Sequence, residues 1–178
     1  KLKVMGMEIV KSSTPKFCRK EMENCVKLIM GSDEETLQKY IIDVRNRFNS
    51  CSVEEISFPR SVNGLEKYSD KSNIFTKGTP IHVKGALIYN HFLKDFKLDK
   101  KYPLIQEGEK IKFVNLKMPN TFNQSVISFP NRIPKEFDIE KFVDYDLQFE
   151  KSFIEPIKVI LDCMDWKTEK QNSLESFF

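Results

Sequence analysis

Apolar residues recur at helical spacing in three stretches of the chain, and a fourth carries a helix-start signal. Phe17, Cys18, Met22, Cys25, Val26 and Ile29 mark the first. Its start is signalled by Thr14 before Pro15, a hydroxyl cap followed by a proline whose fixed φ suits the first helical position. Gly31 is expected to close it. Ser32 with Glu35 reads as a capping box that opens a second helix, and the acidic SDEE run favours the positive end of its dipole. On that helix Leu37, Ile41, Val44 and Phe48 form one apolar face. The two predict an antiparallel pair with a short connection. Thr79-Pro80 repeats the cap-and-proline signal for a helix through about Phe92. From Phe137 to Asp165, the residues Val143, Leu147, Ile154, Ile157 and Leu161 predict a long helix that Pro156 kinks or breaks.

Between these stretches the pattern changes. Residues 1–10 alternate loosely and predict a strand or two, broken near Gly6. A short strand is expected at 55–58, then an irregular loop rich in Ser, Asn, Gly and Lys. KIKFVNLK at 110–117 and SVISF at 125–129 read as strands separated by the MPNTFNQ turn region. Lys167 to Gln171 reads as a polar linker, and the apolar Leu174, Phe177 and Phe178 follow it. The fold class is α+β: helices at both ends and a small antiparallel sheet in the middle.

Composition narrows this. With 178 residues, 40% hydrophobic and 31% charged, the chain suits one globular domain with at most a short appendage. No apolar run approaches a membrane span, and KLKVMGMEIV lacks the apolar centre of a signal segment. The first residue is Lys rather than Met, as expected of a processed product or a piece of something longer. The net charge of +3 is too small to imply a polyanionic partner by itself. Cys18, Cys25, Cys51 and Cys163 form no CxxC pair, and His82 and His91 are the only histidines, which argues against structural zinc. Unpaired cysteine usage of this kind points to a reducing, intracellular compartment.

Nothing in the chain calls for catalysis. There is no glycine-rich phosphate loop, GxSxG or HExxH, and acidic residues fall mostly on helix faces and at helix starts. Three stretches instead mix cations, hydroxyls or amides with a helix start, the groups that bind phosphate. KSSTPK offers Lys11, Ser12 and Ser13. RSVNGLEKY places Arg60, Ser61, Asn63, Lys67 and Tyr68 around Gly64. KGTPIHVKG offers Lys77, His82 and Lys84. Each alone reads better as a solvated loop with an ordinary cap; three together shift the reading toward binding of a nucleic-acid backbone without base reading. None has the basic-plus-aromatic pattern of a base-stacking platform. The QNSLESFF stretch sets Gln171, Leu174 and Phe177 on one side of a tight turn, with Phe178 beside them. That spacing is similar to the box by which proteins bind sliding clamps; the alternative is a tail that docks on its own domain.

Taken in order, these motifs resemble the C-terminal part of family B replicative DNA polymerases of the T-even phage type. KLKVMGMEIVKSSTPK, with Gly6, Glu8, Lys11, Ser12, Ser13, Thr14 and Pro15, resembles the last palm segment entering the thumb. SVNGLEKY resembles the thumb loop nearest the primer–template backbone, GTPIHVKGALIYN the segment after it, and EKSFIEPIK the late thumb helix along the primer. The resemblance implies that residues 1–13 end the palm in a short strand segment, 14–166 form a mainly helical thumb with a small antiparallel sheet, and 167–178 form a linker and clamp-binding tail. It adds Lys151 to the DNA-contacting set named above. Relatives carry a lysine where this chain has Glu155, and Lys158 is placed to substitute for it; they also carry one where Ser125 aligns.

The family's polymerase and exonuclease carboxylates lie upstream of these motifs. The resemblance therefore implies no catalytic residue and no cofactor in this chain, Mg2+ being needed only by the complete polymerase. Its implied partners are duplex primer–template DNA, a sliding clamp and the exonuclease, palm and fingers portion, in the host cytoplasm and away from membranes. The competing expectation is a free-standing interaction module that binds a clamp-like partner but no DNA.

Overall fold

The computed structural model describes residues 8–170. They divide into two compact units, one from residues up to Cys51 together with those from Phe149 onward, the other Ser52–Gln148.

In the first unit, helices α1 (Lys16–Gly31) and α2 (Glu34–Asn49) are joined by Ser32 and Asp33 and pack on one another. Cys18, Met22 and Cys25 of α1 and Leu37, Ile41, Val44 and Phe48 of α2 are buried, as their spacing predicts. Burial pushes the thiols of Cys18 and Cys25 up to about 12, so both are inert core residues. The start signals are each shifted. Pro15 is not the first helical residue but the cap: its ψ of 140° is extended, and its carbonyl accepts from Arg19 N at 3.0 Å. The proposed Ser32–Glu35 capping box does not form. Asp33 caps α2 instead, accepting from Thr36 N at 2.8 Å, because the carboxylate one residue later reaches the open amide.

The expected strand over residues 1–10 falls mostly outside the described residues, and its described end, Glu8–Val10, is a 3-10 turn. The single long helix expected from Phe137 to Asp165 is interrupted, and its residues before Phe149 belong to the second unit. Residues 137–144 are not helical throughout; they hold single 3-10 turns at Lys135–Phe137 and Glu140–Phe142. Asp138 takes a left-handed φ of 47°, and Val143 bridges Leu116, so tertiary pairing overrides the helical periodicity there. The helix proper starts with Tyr145–Phe149, widens into a π turn over Glu150–Ile154, and continues as Glu155–Asp162. Glu155 N donates to Glu150 O, five residues back. The wide turn precedes Pro156, which has no N–H to donate, so the helix absorbs the proline rather than stopping at it. Phe149 stacks on Phe153 at 5.0 Å and meets Phe48 edge-on at 5.1 Å.

The polar linker is polar, as read, but it is pinned. Lys167 N donates to Glu34 Oε1 at 2.6 Å, Gln38 Nε2 donates to Lys167 O at 3.0 Å, and Lys170 pairs with Glu35 at 3.4 Å.

In the second unit a capping box does form, at Ser52 and Glu55. It opens a helical turn, α3 (Val53–Ile56), where a strand was expected; the strand β1 runs three residues later, Phe58–Ser61. A short helix α4 (Leu65–Tyr68) and a two-stranded ribbon of β2 (Ser69–Asp70) and β3 (Ile74–Phe75) follow. Helix α5 runs Ile81–Asp95, with Pro80 again at the cap position rather than inside the helix. Strands β4 (Lys110–Asn115) and β5 (Val126–Phe129) complete an antiparallel sheet in the order β1-β4-β5. The α+β class read from the sequence is therefore observed.

Helix α5 packs across β5 at unusually close range. A Cβ on Gly85 would stand 2.7 Å from Ser128 N and 3.0 Å from Ile127 C, so only glycine fits. The Ser128 hydroxyl donates to His82 O at 2.8 Å, which fixes the first turn of α5 on the sheet.

Candidate nucleic-acid interface

The sequence-predicted residues fall in both units. In the second, the sheet register sets Phe58 opposite Phe113 and Arg60 opposite Ile111. The two rings stack at 5.1 Å, and the Arg60 guanidinium lies 5.9 and 5.8 Å from their centres. His82, in the first turn of α5, stands 6.4 Å from the same Phe113 ring. The structure thus brings Arg60 and His82 together from positions 22 apart in sequence. Burial first, and then the charge of Arg60, hold the His82 imidazole below its ordinary value. At neutral pH His82 therefore offers a hydrogen bond rather than a positive charge.

Lys84 is half-buried and rests its ammonium 4.7 Å from the Phe75 ring of β3. The chain after Phe75 returns to the Gly64 loop, since Thr76 N donates to Tyr68 O at 2.9 Å. Lys84, Tyr68 and Lys67 are in this way connected through the ribbon, and Lys67 lies 5.1 Å from the Tyr68 ring. Ser61, Asn63, Lys67 and Lys77 are exposed. Gly64 has a φ of 90°, which an L side chain adopts only under strain, and a Cβ there would stand 3.1 Å from the Tyr68 ring; it turns β1 into α4.

Two things were not legible from the spacing. The rings beside Arg60 and His82 come from Phe58 and Phe113 through strand pairing, and the ring beside Lys84 comes from Phe75 where the ribbon packs on α5; only Phe113 in the alternating KIKFVN strand hinted at them. The carboxylate of Glu107 accepts from both Gly64 N and Leu65 N, the latter at 2.9 Å. It arrives from 43 residues away, and no local motif announces it.

In the first unit, Lys11, Ser12 and Ser13 lie in the turn that leads into α1, with Thr14 N donating to Lys11 O at 3.2 Å. Lys151 lies in the π turn and Lys158 in the helix after it, both exposed. The Cys18 thiol donates to Ser152 Oγ at 3.3 Å, which ties the start of α1 to the turn that carries Lys151. Gln171, Leu174, Phe177 and Phe178 lie outside the described residues. Among the described residues no helix is long and apolar enough to cross a membrane.

No protein-family profile matches the chain. The chain is, however, 28% identical over 181 residues to the DNA-directed DNA polymerase of Enterobacteria phage T4, a match that covers 99% of it. It is 32% identical over 183 residues to the DNA-directed DNA polymerase of Escherichia phage RB69, a match that covers all of it. It spans about a fifth, 20%, of the length of each of these curated relatives. The chain is thus homologous over its whole length to a fragment of T4-like DNA-directed DNA polymerases, as the order of its motifs implies.

Proposed function

We propose that this chain is the C-terminal thumb and tail of a family B DNA-directed DNA polymerase, and that it holds primer–template duplex by the backbone while tethering the enzyme to a sliding clamp. Residues 1–13 end the palm, 14–166 form the thumb, and 167–178 form the linker and tail. The whole-chain homology to two phage polymerases carries this reading. The clustering of Arg60, Lys67, Tyr68, His82 and Lys84 around one loop and one helix start supports it, since these groups suit phosphate rather than base edges. Catalysis, with the Mg2+ it uses, belongs on this reading to the remainder of the polymerase. The chain acts with that remainder in the cytoplasm of the host.

The test is duplex binding as a function of salt. The chain should bind unrelated duplexes alike, with affinity falling steeply as salt rises through counterion release. Lys84→Ala should flatten the slope of log K against log salt by about one unit on every duplex. Binding that ignores salt, or a slope that Lys84→Ala leaves unchanged, would overturn the backbone reading in favour of an interaction module without DNA.

The tail is tested separately. A short peptide loses conformational freedom on docking, so its affinity for a clamp should be micromolar. Buried aromatic anchors dominate such contacts, and Phe177→Ala should weaken clamp binding about tenfold in a titration without changing duplex affinity. An unchanged clamp affinity would remove the tail from the reading.

A further inference from the structure

We propose that Glu107 is a positioning residue for the phosphate-binding loop: it holds the Gly64 turn in the shape that presents Asn63, Lys67 and Tyr68. This inference rests on the backbone-binding reading above. An exposed carboxylate beside a basic loop is at first sight misplaced, because a free negative charge there would repel phosphate. The geometry accounts for it. Pairing of β1 with β4 ends at Ser61 and Lys110. Val62 extends it by two backbone bonds, donating to Glu109 O at 2.9 Å and accepting from Gly108 N at 2.7 Å. Beyond Val62 the backbone turns away through the positive φ of Gly64, and main-chain pairing is no longer possible. The Glu107 side chain continues the ladder from there, one oxygen on Gly64 N and the other on Leu65 N. Its charge is spent on two N–H groups that open α4, which is stabilising for an anion.

Two consequences follow from the occupied amides. The N–H groups of Gly64 and Leu65 are taken by Glu107 and are not phosphate donors. The loop is also ordered before it meets a partner, so less freedom is lost on binding.

The experiment compares Glu107→Ala and Glu107→Gln with the 178-residue chain in duplex titrations, melting curves and amide exchange. Glu107→Ala should weaken duplex binding roughly three- to tenfold, the range expected for ordering one short loop. Glu107→Gln keeps one acceptor oxygen and should fall between. Exchange of the Gly64 and Leu65 amides should accelerate in both variants while the melting point holds. In a Lys67→Ala, Tyr68→Ala background, Glu107→Ala should lose most of its effect on affinity, which a general structural role would not do. If the unaltered chain binds duplex and Glu107→Ala binds as well or more tightly, the positioning role is overturned alone. If the unaltered chain shows no salt-dependent duplex binding, the backbone reading falls and this inference with it.

Discussion

Replacing Gly85 by alanine should destabilise the second unit by about 2 kcal/mol, although alanine is the better helix former. Alanine in place of glycine inside a helix ordinarily gains about 1 kcal/mol. Here the added methyl meets the backbone of β5, with Ser128 N at 2.7 Å and Ile127 C at 3.0 Å, as well as the Ser128 hydroxyl. A side chain can rotate away, but a central backbone atom moves only with its strand. The helix must lift from the sheet, and Val83, Ala86 and Ile88, all fully buried, lose contact together. Ser128→Ala in the same background removes the hydroxyl but leaves the backbone nitrogen, so it should restore only part of the loss. A urea titration of the three variants checks this. Equal or higher stability in Gly85→Ala would mean that the helix and sheet are not so close.

The same contact bears on the candidate interface. His82 and Lys84 sit three residues and one residue before Gly85, and the Ser128 bond to His82 O fastens that turn. A helix lifted by alanine carries both residues away from Arg60 and Phe75.

This dependence also shows what the sequence can and cannot disclose. Local signals were strong enough to find α1 and α2, which each bury one face at helical period, α5, which its Thr-Pro start announces, and β4 and β5, whose apolar runs are bounded by turn residues. Thr-Pro was right about where α1 and α5 begin and one residue off about which residue caps them. Proline fixes φ but leaves ψ free, so it fits the extended cap as readily as the first helical turn. The Ser32–Glu35 and Ser52–Glu55 pairs have the same spelling, yet only the second forms its box. Asp33 competes in the first case, and residue pattern alone does not rank the two caps. Residues 137–144 failed for a different reason: Phe137 and Val143 are buried by neighbours distant in sequence, and their helical spacing is incidental. The candidate site was legible as residue types. Its assembly was not, because Phe113 under Arg60 and Glu107 on Gly64 are products of long-range pairing, and Phe75 meets Lys84 only through the packing of the ribbon on α5.

Glu21 is the residue that spacing conceals most completely, and it supports the second large effect. It lies on the buried face of α1 among Cys18, Met22 and Cys25, only 2% exposed. Arg47 of α2 holds its two oxygens at 2.8 and 3.0 Å, and the Tyr40 hydroxyl donates to it as well. Burial alone would raise this carboxyl. Hydrogen bonds from Arg47 and Tyr40, together with the charge of Arg47, outweigh it and hold Glu21 below the usual carboxylate range. Arg47→Met keeps an apolar stem beside the Phe17 and Tyr40 rings, which the guanidinium now approaches at 5.9 and 5.8 Å, but removes the charge. The buried carboxylate then lacks its cation, a change that costs about 3–5 kcal/mol in fully buried pairs. Arg47 is 41% exposed, so solvent screening reduces this to about 3 kcal/mol at pH 7. Protonating Glu21 sets a ceiling of similar size, since neutralising an ordinary carboxyl at pH 7 costs about 3.7 kcal/mol. The pH dependence fixes the cause. In the unaltered chain the lowered carboxyl contributes stability above its unfolded value, and that contribution is lost as pH falls through the folded value. In Arg47→Met the unpaired, buried carboxyl is raised, so acidification neutralises it and relieves the penalty. The gap between the two chains should therefore be widest near pH 7 and close by roughly 1.4 kcal/mol per pH unit towards pH 4.3. Denaturant midpoints of the two proteins, measured from pH 7 down to 4, give the comparison. A gap that stays constant with pH would assign the loss to packing on Phe17 and Tyr40, and would remove the ion pair as the tie between α1 and α2.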